Sequence, residues 1–195
     1  MATSTEPVTT LHTFRFRGVH VCTGDVLCTT DGLPGSAYGR FWQAVGLLMP
    51  GPIDHCLVYV GPEGRCVEAG GNGVIAFEMD ADWTAGPLAR ERALLDRLHG
   101  AVYPLEGFAG DAAKLRDVRL GIANYVLAEA ARSAPYNYNF FDTATTRRFY
   151  CSQLVHQAYA ANGVLLPRVT RGRLLGRVAF PREIWRGNPH QRAQG

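Results

Sequence analysis

No stretch of this chain reaches the ~18 apolar residues that a membrane-spanning helix needs. The first ten residues, MATSTEPVTT, are polar and hold no apolar h-region. No secretory signal is legible there, so a cytoplasmic protein is the default expectation. Strong charge of one sign is missing too. The formal net charge is +3, and the arginines are scattered until residues 168–192, which argues against a nucleic-acid binder. That Arg-rich tail reads as a solvated surface segment, with contact to a phosphate or acidic surface as the alternative. There is no C-x-x-C pair. The five cysteines, Cys22, Cys28, Cys56, Cys66 and Cys151, are expected to be free thiols without a metal. Repeats, low-complexity blocks and dividing linkers are also missing. One domain over residues 1–195 follows, with a core at about residues 19–168 between N-terminal and C-terminal extensions.

What is present suffices for a packed core: 47% hydrophobic residues and 10% aromatics among 195. The first half reads as strands and turns. Residues 19–29 carry the apolar run Val26-Leu27-Cys28 after Gly24-Asp25. Residues 32–39 form a loop, and residues 38–49 a short helix or an irregular apolar segment. Residues 55–61 (HCLVYVG) form a buried strand, and residues 65–69 (RCVEA) its hairpin partner across Pro62-Glu63. Residues 74–79 make a third strand. Helices are expected at 87–98, 112–133 and 151–162, with a strand at 101–105 between them. Gly163 stops the last helix. Strands first, then helices mixed with strands, give an α+β class.

Helix 151–162 puts Cys151, Leu154, Val155, Ala158 and Tyr159 on one face. Cys151 opens it, where unpaired N–H groups and the positive helix end favour a thiolate. On position alone, a small buried hydrophobe is the commoner fate of such a cysteine. A nucleophile also needs a histidine and a group to orient it. His156, about 140° around the helix from Cys151, is expected to be exposed. His99 is expected to cap a helix C-terminus. His12, His20 and His190 lie in terminal segments. His55 opens an apolar strand. A turn at Pro62-Glu63 pairs Val60 with Arg65 and Leu57 with Glu68. His55 and Glu68 then become diagonal neighbours, roughly 7–8 Å apart at the backbone. A carboxylate between Val67 and Ala69 needs a partner, and His55 is within reach. Cys66 shares the face of Glu68 as a candidate thiol of the site wall, whereas Cys56 should be buried and point away from His55.

Two blocks resemble a known family. CSQLVHQAYAANGVLLPR is similar to the nucleophile block of the NlpC-like cysteine peptidases, and DHCLVYVG to their His-bearing strand. Here the histidine precedes the cysteine, an order that resembles the circularly permuted, YiiX/YebB-like branch, whose remote relatives include lecithin:retinol acyltransferase-like enzymes. Gly24-Asp25-Val26-Leu27, Val67-Glu68-Ala69 and Pro135-Tyr136-Asn137-Tyr138 match that branch as well. Relatives commonly carry Asp where Asn137 stands, and Ser-Glu where this chain has Ser152-Gln153.

The resemblance implies a circularly permuted papain-like fold, an antiparallel sheet packed against helices. It implies Cys151 as nucleophile, His55 as base and Glu68 as the group that orients His55, with no cofactor. Asp25, Tyr38, Cys66, Tyr136, Tyr138 and Ser152 are pocket candidates. For the tyrosines a packed core role, and for Asp25 a local turn, is the plainer alternative. The expected function is hydrolysis of an amide bond in a small peptide or amide substrate. The alternatives are a thiol acyltransferase or (thio)esterase for acyl-lipids, for which Phe41, Trp42, Leu47 and Leu48 offer an apolar cleft, or a binding module without turnover. The substrate and the oligomeric state are not legible.

Overall fold

A computed structural model describes residues 4–30, 53–84, 96–167 and 178–194. Its strands are β1 (Thr13–Phe16), β2 (Val19–Cys22), β3 (Val26–Thr30), β4 (His55–Tyr59), β5 (Arg65–Gly70), β6 (Gly73–Glu78), β7 (Arg97–Val102) and β8 (His190–Arg192). Its helices are α1 (Ala112–Ala131), α2 (Cys151–Ala161) and α3 (Pro181–Gly187). Among the described residues, β1 and β2 form a small hairpin, and the other strands form one sheet in the order β6-β5-β4-β3-β7-β8. Every pairing is antiparallel. The class is α+β, as the sequence predicts.

The sheet is buried on both faces. Successive side chains of a strand point to opposite faces, and here each face meets its own apolar layer. Cys28, Cys56, Val58, Val60, Val67 and Ala69 join the layer built with α1, α2 and α3. Leu27, Leu57, Tyr59, Cys66 and Phe77 join a second layer with Phe16, Val19 and Trp83. That is why HCLVY reads as a continuous apolar run rather than an alternating one.

The β4–β5 register is the one read from the sequence. Val58 faces Val67, and Tyr59 faces Cys66. Val60 N–H donates to the Arg65 carbonyl at 2.9 Å, closing the turn at Pro62 and Glu63.

Three expectations are corrected. Of the helix expected at 87–98, residues 87–95 lie outside the described residues, but Arg97 and Leu98 belong to β7. His99 therefore caps no helix. It is skipped where the β3–β7 register shifts, with Cys28 facing Gly100 and Thr29 facing Leu98. Its ring packs edge-on against Trp185 at 4.7 Å. The second correction is His156, which is buried. The loop ahead of α2 also packs on this helix, through its two glutamines. Gln153 Nε2 donates to the carbonyls of Asp142 and Thr145, and Gln157 Nε2 to those of Thr143 and Thr145.

The third is the tail. Residues 178–185 are part of the core, not a solvated segment. Phe180, Ile184 and Trp185 are buried, and β8 extends the sheet beside β7. Gly100 makes that docking tight: a Cβ there would lie 2.1 Å from the Gln191 carbonyl oxygen and 2.8 Å from the Trp185 ring. Gln194 N–H then donates to the Arg17 carbonyl at 2.9 Å, tying the chain end to the β1–β2 hairpin.

Candidate active site

Helix α2 packs on β4 and β5, and its two ends are fixed differently. At the far end, the Tyr159 hydroxyl donates to the Gly24 carbonyl at 2.5 Å. The same turn holds Asp25, whose carboxylate accepts from Arg119 Nη1 and from Cys22 N–H, each at 2.8 Å. Asp25 N–H and C=O complete the turn and the β3–β4 ladder. Asp25 is thus a buried anchor between α1 and the sheet. It faces Tyr59, not His55, and lies about 13 Å along the strand from the Thr29–His55 end.

At the near end, Tyr150 caps the helix. Its N–H donates to Gln153 Oε1 at 3.3 Å. Asn137 Nδ2 donates to the same oxygen at 2.9 Å and to the Asp142 carbonyl at 3.0 Å. Both amides are fully buried. Amides at 137 and 153 hold each other by a neutral hydrogen bond, whereas two carboxylates at this distance would repel. Gln153, which stands where relatives commonly carry Glu, is the brace of the helix start. Tyr150 OH accepts from Ala179 N–H at 3.2 Å, and Ser152 Oγ donates to the Ala179 carbonyl at 2.7 Å. The residues on either side of Cys151 therefore clamp the C-terminal segment in place.

Cys151, His55 and Glu68 meet at this end. His55 Nε2 and Glu68 Oε2 are 2.9 Å apart, with the side chains 9% and 2% exposed. An ionised carboxylate only accepts, so Nε2 carries the proton and Nδ1 is left for Cys151. The Cys151 sulfur is a hydrogen-bonding partner of the His55 ring and of both the backbone N–H and the thiol of Cys56. The hydrogen bond from Cys56 leads in pulling the Cys151 thiol well below its ordinary 9.0; burial opposes it, and His55 adds to the pull. Burial works against charge on His55, but the Cys151 sulfur and Glu68 outweigh it and lift the imidazole well above 6.5. Both directions favour a thiolate–imidazolium pair over a neutral one.

Next to the pair, Thr29 Oγ1 donates to Asp96 Oδ2 at 2.5 Å. His55, Glu68 and Asp96 bring donor atoms within 4.8 Å of one another, a set with the chemistry to take a zinc-like cation. Glu68 already occupies Nε2, so a cation would enter only by displacing that hydrogen bond.

The remaining pocket candidates separate. Cys66 lies on the opposite face of the sheet from the helices, in the second core layer. Tyr136 is buried beside Tyr150 with Val178, Ala179 and Phe180. Tyr138 is exposed and packs edge-on against Tyr136 at 4.9 Å. Tyr38, Phe41, Trp42, Leu47 and Leu48 lie outside the described residues. The sequence reading missed Cys56 as a contact of the nucleophile. Its signal was strand parity: the residue after His55 points toward the helices. Comparisons with family models, with curated proteins and with solved structures give no match. Among the described residues, no helix is long and apolar enough to cross a membrane.

Proposed function

We propose that this chain is a cysteine hydrolase of the amide-cleaving, papain-like class, circularly permuted so that the histidine strand precedes the nucleophile helix. The observation that carries this reading is the buried His55–Glu68 hydrogen bond presented to a cysteine at a helix N-terminus. A purely structural cysteine has no use for a depressed pKa.

The Cys151 thiolate attacks the substrate carbonyl, forming a C–S bond and a tetrahedral oxyanion. The Cys151 N–H, in the unpaired first turn, faces that negative charge with the helix dipole behind it. Collapse breaks the C–N bond, and His55 Nδ1–H gives its proton to the leaving amine. Neutral His55 then takes a proton from water. Hydroxide attacks the thioester, the acid leaves, and the thiolate–imidazolium pair returns. Glu68 keeps the proton on Nε2 throughout. Transfer of the acyl group from the same acyl-enzyme to an alcohol or amine instead of water is the second reading.

Incubation with an activated acyl ester checks the scheme. Peptide mapping should find one acyl group on Cys151, released on further incubation, and none in Cys151→Ala. Acyl groups spread over lysine and serine, or equal turnover by Cys151→Ala, would sink it. Added amine or long-chain alcohol distinguishes transfer from hydrolysis by the product formed.

A further inference from the structure

Three cysteines lie in the helix-covered layer of the core: Cys28, Cys56 and Cys151. Cys28 and Cys56 are cross-strand partners in β3 and β4. Tyr59 N–H donates to the Asp25 carbonyl, so the 25–59 position is a hydrogen-bonded rung of this ladder. The Cys28–Cys56 pair, three steps along, is then of the closely spaced, non-hydrogen-bonded kind. Cys56 is the one of these two that meets the nucleophile. Its backbone N–H and its thiol both reach the Cys151 sulfur. Cys56 serves the site only as a hydrogen-bond donor and takes no part in the acyl-transfer steps, so a second thiol stands against the reactive sulfur without a bond-making role.

We propose that Cys56 is the resolving thiol of Cys151: peroxide converts Cys151 to a sulfenic acid, and Cys56 closes it into a reversible intramolecular disulfide that switches the site off. The inference rests on the reading of Cys151 as a thiolate nucleophile. In the first step, the thiolate attacks one oxygen of hydrogen peroxide. The O–O bond breaks, sulfur loses two electrons, and hydroxide leaves. In the second, the Cys56 sulfur attacks the Cys151 sulfur. The S–O bond breaks, and the hydroxyl leaves as water with the Cys56 proton. A dithiol reductant returns both thiols and is itself oxidised to a disulfide.

The surroundings fit this chemistry. Cys151 is 7% exposed and Cys56 is 0% exposed, so an oxidant arriving from solvent meets Cys151 first. A sulfenic acid at Cys151 therefore meets Cys56 before a second peroxide. Cys66 and Cys22 cannot substitute, since one lies on the opposite face of the sheet and the other on the β1–β2 hairpin.

The test is peroxide treatment of the full chain, alkylation of the remaining thiols, and mass spectrometry of a non-reduced digest. The expected product is a Cys56–Cys151 linked peptide, with complete loss of Cys151 labelling that dithiothreitol restores. In Cys56→Ala the link disappears and Cys151 proceeds to sulfinic acid, which dithiothreitol does not reverse. Cys28→Ala keeps the link. Sulfinic acid at Cys151 forming equally fast in wild type and Cys56→Ala overturns the proposal, as does a link from Cys151 to another copy. Alkylation of an untreated sample separates the two readings. Fast labelling of Cys151 without the link removes only the resolving role. Slow labelling removes the nucleophile itself.

Discussion

Methionine in place of Arg119 should lower stability by about 3–5 kcal/mol at neutral pH, the usual cost of stranding one partner of a buried ion pair. Asp25 is 2% exposed. Its carboxylate would keep the Cys22 N–H but lose its only ion-pair partner among the described residues. The Thr23 carbonyl loses its Arg119 donor as well. The deficit has a pH signature. Burial already raises Asp25 above its ordinary 3.8, against the pull of Arg119. Without Arg119 it rises further. A folded-state pKa above the unfolded one adds stability below the unfolded value and loses it as pH rises through the folded value. The variant should therefore recover part of its deficit as pH falls from 7 toward 5. Urea unfolding at the two pH values reads both effects. A loss under about 1 kcal/mol, the range of an exposed pair, or a loss independent of pH, would contradict the assignment of Asp25 as a buried anchor. Because that anchor and Tyr159 fix the far end of α2, their failure would also loosen the placement of Cys151.

Trp185→Ala should cost a similar amount, about 3–5 kcal/mol, as a large ring leaving a packed site. Trp185 is 7% exposed and packs between His99 and His190, at 4.7 and 4.2 Å. Its loss empties the space where Gly100 permits β8 to close on β7. Leu165→Ala is the control. That side chain is 86% exposed and should change stability by no more than about 0.5 kcal/mol. Equal, small shifts in the unfolding midpoint of both variants would mean that the C-terminal segment lies on the surface after all.

That contrast shows what the sequence can reveal. The β4–β5 hairpin was legible because Gly61 and Gly64 bracket a two-residue turn, and strand pairing then determines every partner. The neighbourhood of His55 and Glu68 follows from that register alone. Helices α1 and α2 were legible from their periodicity and from Pro135 and Gly163. The tail was not, because Arg182, Arg186 and Arg192 surround Phe180, Ile184 and Trp185. Local composition then outvotes three anchors whose burial depends on a distant strand edge. The burial of Gln153 escaped for a related reason: the loop that holds it does so through backbone carbonyls, which leave no hydropathy pattern. Arg97 and Leu98 sit in a helix-forming stretch, but pairing with β3 overrides that propensity.

The rate of Cys151 alkylation against pH, in wild type and His55→Ala, tests the thiolate–imidazolium pair most directly, with the other four cysteines as internal controls. In wild type Cys151 should react faster than the rest and hold its rate well below pH 9.0, its ordinary value. His55→Ala should move the profile upward and slow labelling at pH 6 by on the order of 10–100-fold, the lost thiolate fraction being partly offset by the higher nucleophilicity of a more basic thiol. A Cys151 that reacts no faster than the other cysteines, or whose profile ignores the loss of His55, would contradict the pair and leave a binding module on this fold as the better description.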